Sequence, residues 1–115
     1  MSQKIIGGST SQSVVVRIVD SADGTPEEAV TKDTAGLSIW YRRAGGVVVA
    51  ATPDNDLATA DAAWVAKGII HLDDGYYRYD PPDAAFANGV ASVLIGGTAT
   101  DMVVIGALVT LEDGV

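Results

Sequence analysis

Asp74-Gly75-Tyr76-Tyr77-Arg78-Tyr79-Asp80-Pro81-Pro82-Asp83-Ala84-Ala85-Phe86-Ala87-Asn88-Gly89 sets a turn, a short strand, a proline stop, one helical turn and a glycine exit in a row. Asp74-Gly75 suits a tight hairpin because both residues tolerate positive φ. In the strand that follows, alternation places Tyr77 and Tyr79 on one face and Tyr76 and Arg78 on the other. One pair is expected to pack the core or to bond a backbone group at a sandwich corner. Pro81 and Pro82 stop the ladder, since proline brings no donor. Asp83 is expected to cap a single helical turn through Phe86, and Asn88-Gly89 to supply a left-handed exit. This sequence of events belongs to a compact β-sandwich.

Working outward, Gly68-Ile69-Ile70-His71-Leu72 is the hairpin partner of that strand. Val14 to Val19 is β-branched and reads as a strand. Leu37 to Arg42 and Val47 to Ala51 flank the turn residues Ala44-Gly45-Gly46 and predict a second hairpin, ended by Pro53. Val90 to Ile95 is a strand, Gly96-Gly97 and Asp101 a turn, and Met102 to Leu111 a long final strand bent near Gly106. The spacing predicts an all-β fold, an immunoglobulin-like antiparallel β-sandwich of about seven strands with one short helical turn near residues 83–88. Residues 1–12 read as a flexible N-terminal arm or an edge strand around Ile5-Ile6, with Gly7-Gly8 as its hinge. Residues 13–115 read as the single sandwich domain. Residues 54–66 leave two readings open: a short alanine-rich helix capped by Asp56, or a long loop.

With 115 residues the chain is one domain, which buries roughly two thirds of its unfolded surface. It has no cysteine, so disulfides and thiolate metal sites are excluded. Fifteen acidic residues against seven basic ones give a net charge of -8. Phosphate backbones call for clustered cations, and only Arg42-Arg43 come as a pair, so no nucleic-acid partner is expected. The N-terminus shows no basic-then-apolar leader, and no apolar run reaches the ~20 residues of a spanning helix, so a soluble protein without a membrane partner is expected. An apolar fraction of 48% points to surface covered in an oligomer or by a larger partner.

Several residues invite chemistry. His71 is the only histidine; as a general base it needs a nucleophile and an orienting acid, and the sequence supplies no such constellation. Asp54, Asp56 and Asp61 could offer oxygens to calcium, but their spacing lacks the glycine and closing glutamate of a calcium loop. Tyr76 and its neighbours could form a carbohydrate- or partner-binding stripe. Trp40 and Arg42 share the face opposite Leu37 and Ile39; one of Trp40 and Trp64 is expected in the core, the other at a contact. The residues read as a non-enzymatic binding domain with no cofactor and no metal.

The run Gly75 to Gly89 resembles a Gly-x-Tyr-Arg-hydrophobic-Asp-x-Pro-Asp-Ala-Ala-Phe-Ala-x-Gly segment of small β domains in virion proteins of tailed bacteriophages. Gly36-Leu37-Ser38-Ile39-Trp40-Tyr41-Arg42-Arg43 is similar to an upstream strand of the same family, and the resemblance runs in order over residues 13–111. The positions that carry it are Gly75, Tyr77, Tyr79, Pro82, Asp83, Phe86 and Gly89. It implies a virion structural role without catalytic residues. A chain that stops at Val115, without a fibre-like extension, is expected to be a capsid decoration (cement) protein on the capsid surface. Its partner is then the major capsid protein or another virion protein, and it forms a homo-oligomer, a trimer above all. Ile5, Ile6, Trp40, Arg42 and Arg43 are the expected contacts. A tail adaptor or fibre-base module is the alternative within that class, and a carbohydrate-binding module the alternative outside it.

Overall fold

Branched and aromatic side chains at alternate positions favour extended backbone, because they pack on a pleated surface better than on a helix. The computed structural model describes residues 2–112, so Met1 of the expected arm and residues 113–115 of the expected domain lie outside it. Its strands are β1 (Ser2–Ile6), β2 (Val14–Asp20), β3 (Ser38–Arg43), β4 (Val48–Ala50), β5 (Asn55–Asp56), β6 (Gly68–Asp73), β7 (Tyr76–Asp80), β8 (Ser92–Ala99), β9 (Met102–Ile105) and β10 (Ala107–Glu112). A one-turn 3₁₀ helix, Asp83–Phe86, is the one helical element among the described residues.

The strands form one continuous ladder that folds over on itself. One layer runs β4-β3-β8-β10-β1 and the other β9-β2-β7-β6-β5. They meet where β8 and β9 pair at Thr98–Val103 and Ala99–Met102. Between them lies a core that includes Val14, Val16 and Ile18 of β2, Ile39 and Tyr41 of β3, Ile69, Tyr77, Tyr79, Phe86, Val93, Ile95 and Val109. The architecture is the all-β sandwich with one short helical turn that the sequence predicts, with ten strands among the described residues where about seven are expected. Its pairing is antiparallel except at β1–β10 and β5–β6, which are parallel.

The long final strand bends at Gly106, as expected. Between β8–β9 and β8–β10 the register shifts by one residue, so Gly106 is an extra residue in the ladder. A Cβ there would overlap the carbonyl oxygen of Ile95. The bulge lets β9 leave the first layer and pair with β2 in the second. Asp74 and Gly75, with φ of 51° and 80°, form the two-residue turn between β6 and β7.

Two local expectations need correction, and two open readings are resolved. Gly96 and Gly97 do not turn the chain; they lie inside β8, and Asp101 (φ 59°) sits in the turn instead. Their value is close approach: the Trp40 ring lies over Gly96, and a Cβ on Gly97 would overlap the Ser38 carbonyl. Asp83 does not cap the helical turn, because Pro82 holds the cap position and Asp83 is already in the first turn. The Asp83 carboxylate accepts the Ser11 backbone N–H at 2.7 Å instead. Residues 54–66 hold no helix: β5 pairs with β6 and the remainder is loop. Of the two readings of the N-terminus, Ser2–Ile6 takes the edge-strand one, paired to β10 of its own sheet. Gly7 and Gly8 are tied down, their N–H groups donating to Glu112 O at 2.9 Å and Phe86 O at 2.7 Å.

A polar node explains why residues 54–66 stay non-helical. Asp80 is fully buried, and Arg78, two residues earlier on the same face, holds it side-on through Nε (3.0 Å) and Nη2 (2.9 Å). The Ser13 hydroxyl donates to the same carboxylate at 2.6 Å and the Val65 N–H at 3.1 Å. Arg78 Nη1 reaches the carbonyls of Ala60 (3.0 Å) and Ala62 (2.7 Å). Backbone groups that a helix would pair internally are thus taken by β7 side chains.

Candidate partner-binding surface

The outer face of the β4-β3-β8-β10-β1 layer follows directly from the pleat. Ile39, Tyr41, Val93, Ile95, Val109 and Leu111 point into the core, so Trp40, Arg42, Leu94, Leu108 and Val48 point out. The register puts Val48 opposite Arg42, Arg42 opposite Leu94 and Leu94 opposite Leu108, one unbroken row across four strands. Val48, Leu94 and Leu108 are 56%, 42% and 44% exposed, unusual for large apolar side chains standing side by side. Trp40, half-buried, lies beside the row opposite Ala50 and Gly96. Arg42 donates from Nε to the Gly46 carbonyl at 3.0 Å; its Nη groups make no hydrogen bond among the described residues. The surface can therefore exclude water over an apolar strip and offer one guanidinium to a carboxylate or carbonyl.

The other expected contacts fall elsewhere. Arg43 is spent within the chain: Nη1 donates to the carbonyls of Ala84 (3.2 Å) and Ala85 (3.0 Å), and Nη2 to Asn88 O (3.0 Å). It holds the helical turn against β3. Ile5 packs on the core, while Ile6 is exposed at the end of β1. Trp64, half-buried, donates its indole N–H to Gln12 O at 3.1 Å, away from this face.

Tyr77 and Tyr79 are core residues, buried at 0% and 1% exposure. The Tyr77 hydroxyl donates to Glu27 O at 2.6 Å and accepts from Val30 N at 3.1 Å, and the Tyr79 hydroxyl donates to Ala51 O. Burial pushes both phenols above their usual range. Tyr76 stays outside, with the Arg17 guanidinium 5.3 Å from its ring centroid. Of the other motif residues, Gly75 and Phe86 are buried and Gly89 is exposed, with φ 113°.

His71 is half-buried on β6, its ring tilted against Tyr77 at 5.1 Å, and its Nε2 makes no hydrogen bond among the described residues. It lines a cleft of about 240 Å³ with Glu28, Thr31, Asp56 and Leu57. The loop aspartates do not converge. Asp54 pairs with Lys67 at 3.0 Å, Asp56 accepts the Lys32 N–H at 2.8 Å, and Asp61 accepts the Thr59 hydroxyl at 2.8 Å. Among the described residues no three acidic or histidine side chains form a group able to hold a metal ion.

Leu94, Leu108 and Val48 were not singled out in the sequence, although a signal existed. Leu94 and Leu108 each stand between two core-facing apolar positions on a strand, where alternation calls for a polar residue. Comparison with protein-family models, with curated proteins and with solved structures finds no match to the chain.

Proposed function

We propose that this chain is a non-catalytic virion structural protein of a tailed bacteriophage, a capsid decoration protein that docks on the major shell protein and stabilises the shell. The observation that supports this reading is the exposed row Val48–Arg42–Leu94–Leu108 with Trp40 beside it. Aromatic and arginine anchors inside an apolar strip are the side chains that dominate protein–protein affinity. On docking, the leucines and Val48 lose water, and Arg42 takes an acceptor on the shell surface. The acidic remainder of the chain, net charge -8, keeps the bound protein soluble. Tyr77, Tyr79 and Arg43 act in this scheme by holding the sandwich rigid.

The test is the copy number of the chain per purified virion, by quantitative mass spectrometry against the major shell protein. A simple ratio to the shell subunit is expected. A handful of copies would move the protein to the tail as an adaptor or fibre-base module, and none would end the virion reading. In reconstitution on shells lacking the protein, Arg42→Glu is expected to lower occupancy without changing the fold.

A further inference from the structure

The β4 edge carries an inference that does not depend on the virion reading. The Ala51 N–H donates to Ile39 O at 2.9 Å, so the backbone groups of Ile39 and Ala51 face each other at a hydrogen-bonded position of the ladder. In an antiparallel ladder such positions alternate, which makes Tyr41–Val49 the next one. The N–H and C=O groups of Val49 therefore face β3, and those of Val48 and Ala50 face away from it. Among the described residues no strand covers them, since β4 pairs there with β3 alone.

Edges of this kind are normally protected by lysine, proline, a bulge or a covering segment, because bare ones recruit another strand. Here the opposite holds. Val47, Val48 and Val49 are exposed at 78%, 56% and 40%. Val49 lies opposite the buried Tyr41, on the core face, so the sandwich is open to water at this edge. The stretch from Ala44 to Pro53 holds no charged residue, in a chain whose net charge is -8. A second copy, repelled from most of this surface, meets no like charge within the edge segment itself.

We infer that β4 pairs with β4 of a second copy, antiparallel about a two-fold axis through Val49. That register sets Val48 of one copy opposite Ala50 of the second copy, and the reverse. The residues with free backbone groups then face one another and exchange both bonds in each pair. Val49 meets its own counterpart as the closely spaced non-hydrogen-bonded pair, closing both open cores. The match is self-complementary, as an isologous two-fold interface requires, and it uses a single edge. The contact is small, so the association is reversible.

Sedimentation velocity over about 5–500 μM, the regime of small interfaces, tests this. A monomer–dimer shift is expected. Val48→Lys adds a charge at the edge, and Ala50→Pro removes an N–H that β3 does not use; each is expected to weaken association at least tenfold. Thr98→Lys, which adds the same charge on β8, is expected to leave it unchanged. Amide spectra of the unaltered chain on dilution should change at residues 47–51, which reads the interface even if a variant unfolds. A monomer at every concentration, a trimer, spectral changes confined elsewhere, or dimerisation indifferent to both edge variants would each overturn the proposal.

Discussion

Arg78 and Asp80 lie two residues apart on one face of β7 and form a side-on ion pair, the carboxylate fully buried and the Arg78 side chain 12% exposed. The pair joins three segments, because Ser13 and Val65 donate to Asp80 while Arg78 reaches the carbonyls of Ala60 and Ala62. A buried pair contributes little beyond what an apolar pair would, but breaking it strands a charge. Arg78→Ala or Asp80→Ala is therefore expected to cost about 3–5 kcal/mol in urea unfolding. Arg78→Ala should also raise hydrogen exchange and proteolysis across residues 58–66. A loss under about 1 kcal/mol would contradict this account of the node.

The two core tyrosines make stability depend on alkaline pH. Burial, the larger cause, raises the Tyr77 phenol above 10.0, and burial raises Tyr79 further. Below the unfolded value both states carry the proton and the contribution is constant. As pH rises past about 10 the unfolded chain loses its protons first, so stability falls. Unfolding free energy measured from pH 8 to 11 is expected to decline above pH 10. In Tyr77→Phe plus Tyr79→Phe the decline should flatten. Tyr77→Phe alone is expected to cost about 1–3 kcal/mol at neutral pH, since it leaves the buried Val30 N–H without a partner.

Two glycines should respond to alanine in different degrees. At Gly106 a Cβ would overlap the Ile95 carbonyl, so the bulge must open, at a cost of about 3 kcal/mol or more. At Gly45, with φ 76° and open space around it, only the backbone conformation is penalised, by about 1–2 kcal/mol. Thermal unfolding of both variants checks the ranking, and equal losses would count against the corner role of Gly106.

The adjacent arginines divide binding from stability. Arg43→Ala removes three bonds from a guanidinium to backbone carbonyls, and a loss of about 1.5–3 kcal/mol is expected, with faster exchange at residues 83–89. Arg42→Ala touches only an exposed turn and should stay within about 0.5 kcal/mol of the parent. Denaturation profiles of the two single variants separate these roles.

Much of this molecule is legible in the linear chain. Alternation in Tyr76–Tyr79 sorts the core tyrosines from the outer pair, Asp74-Gly75 declares its hairpin, and Gly106 its bend. These rest on local rules: the two-residue period of a strand and the few residues that accept positive φ or lack a side chain. The same rules mislead at Gly96-Gly97. There the glycines admit the Trp40 ring and the Ser38 backbone, neighbours that no window of sequence contains.

The sequence by itself determined the all-β class, the strand faces and the positions of the main hairpins, because those follow from side-chain period and backbone sterics within a few residues. Only the tertiary structure decided that Arg43 serves the helical turn while Arg42 faces outward, and that Asp80 is a buried ion-pair partner. It also decided that Leu94, Leu108 and Val48 fall into one row and that β4 ends the sheet with its outer edge unpaired among the described residues. Each of these depends on register between strands far apart in the chain, and register is set by which buried side chains pack together across the two layers.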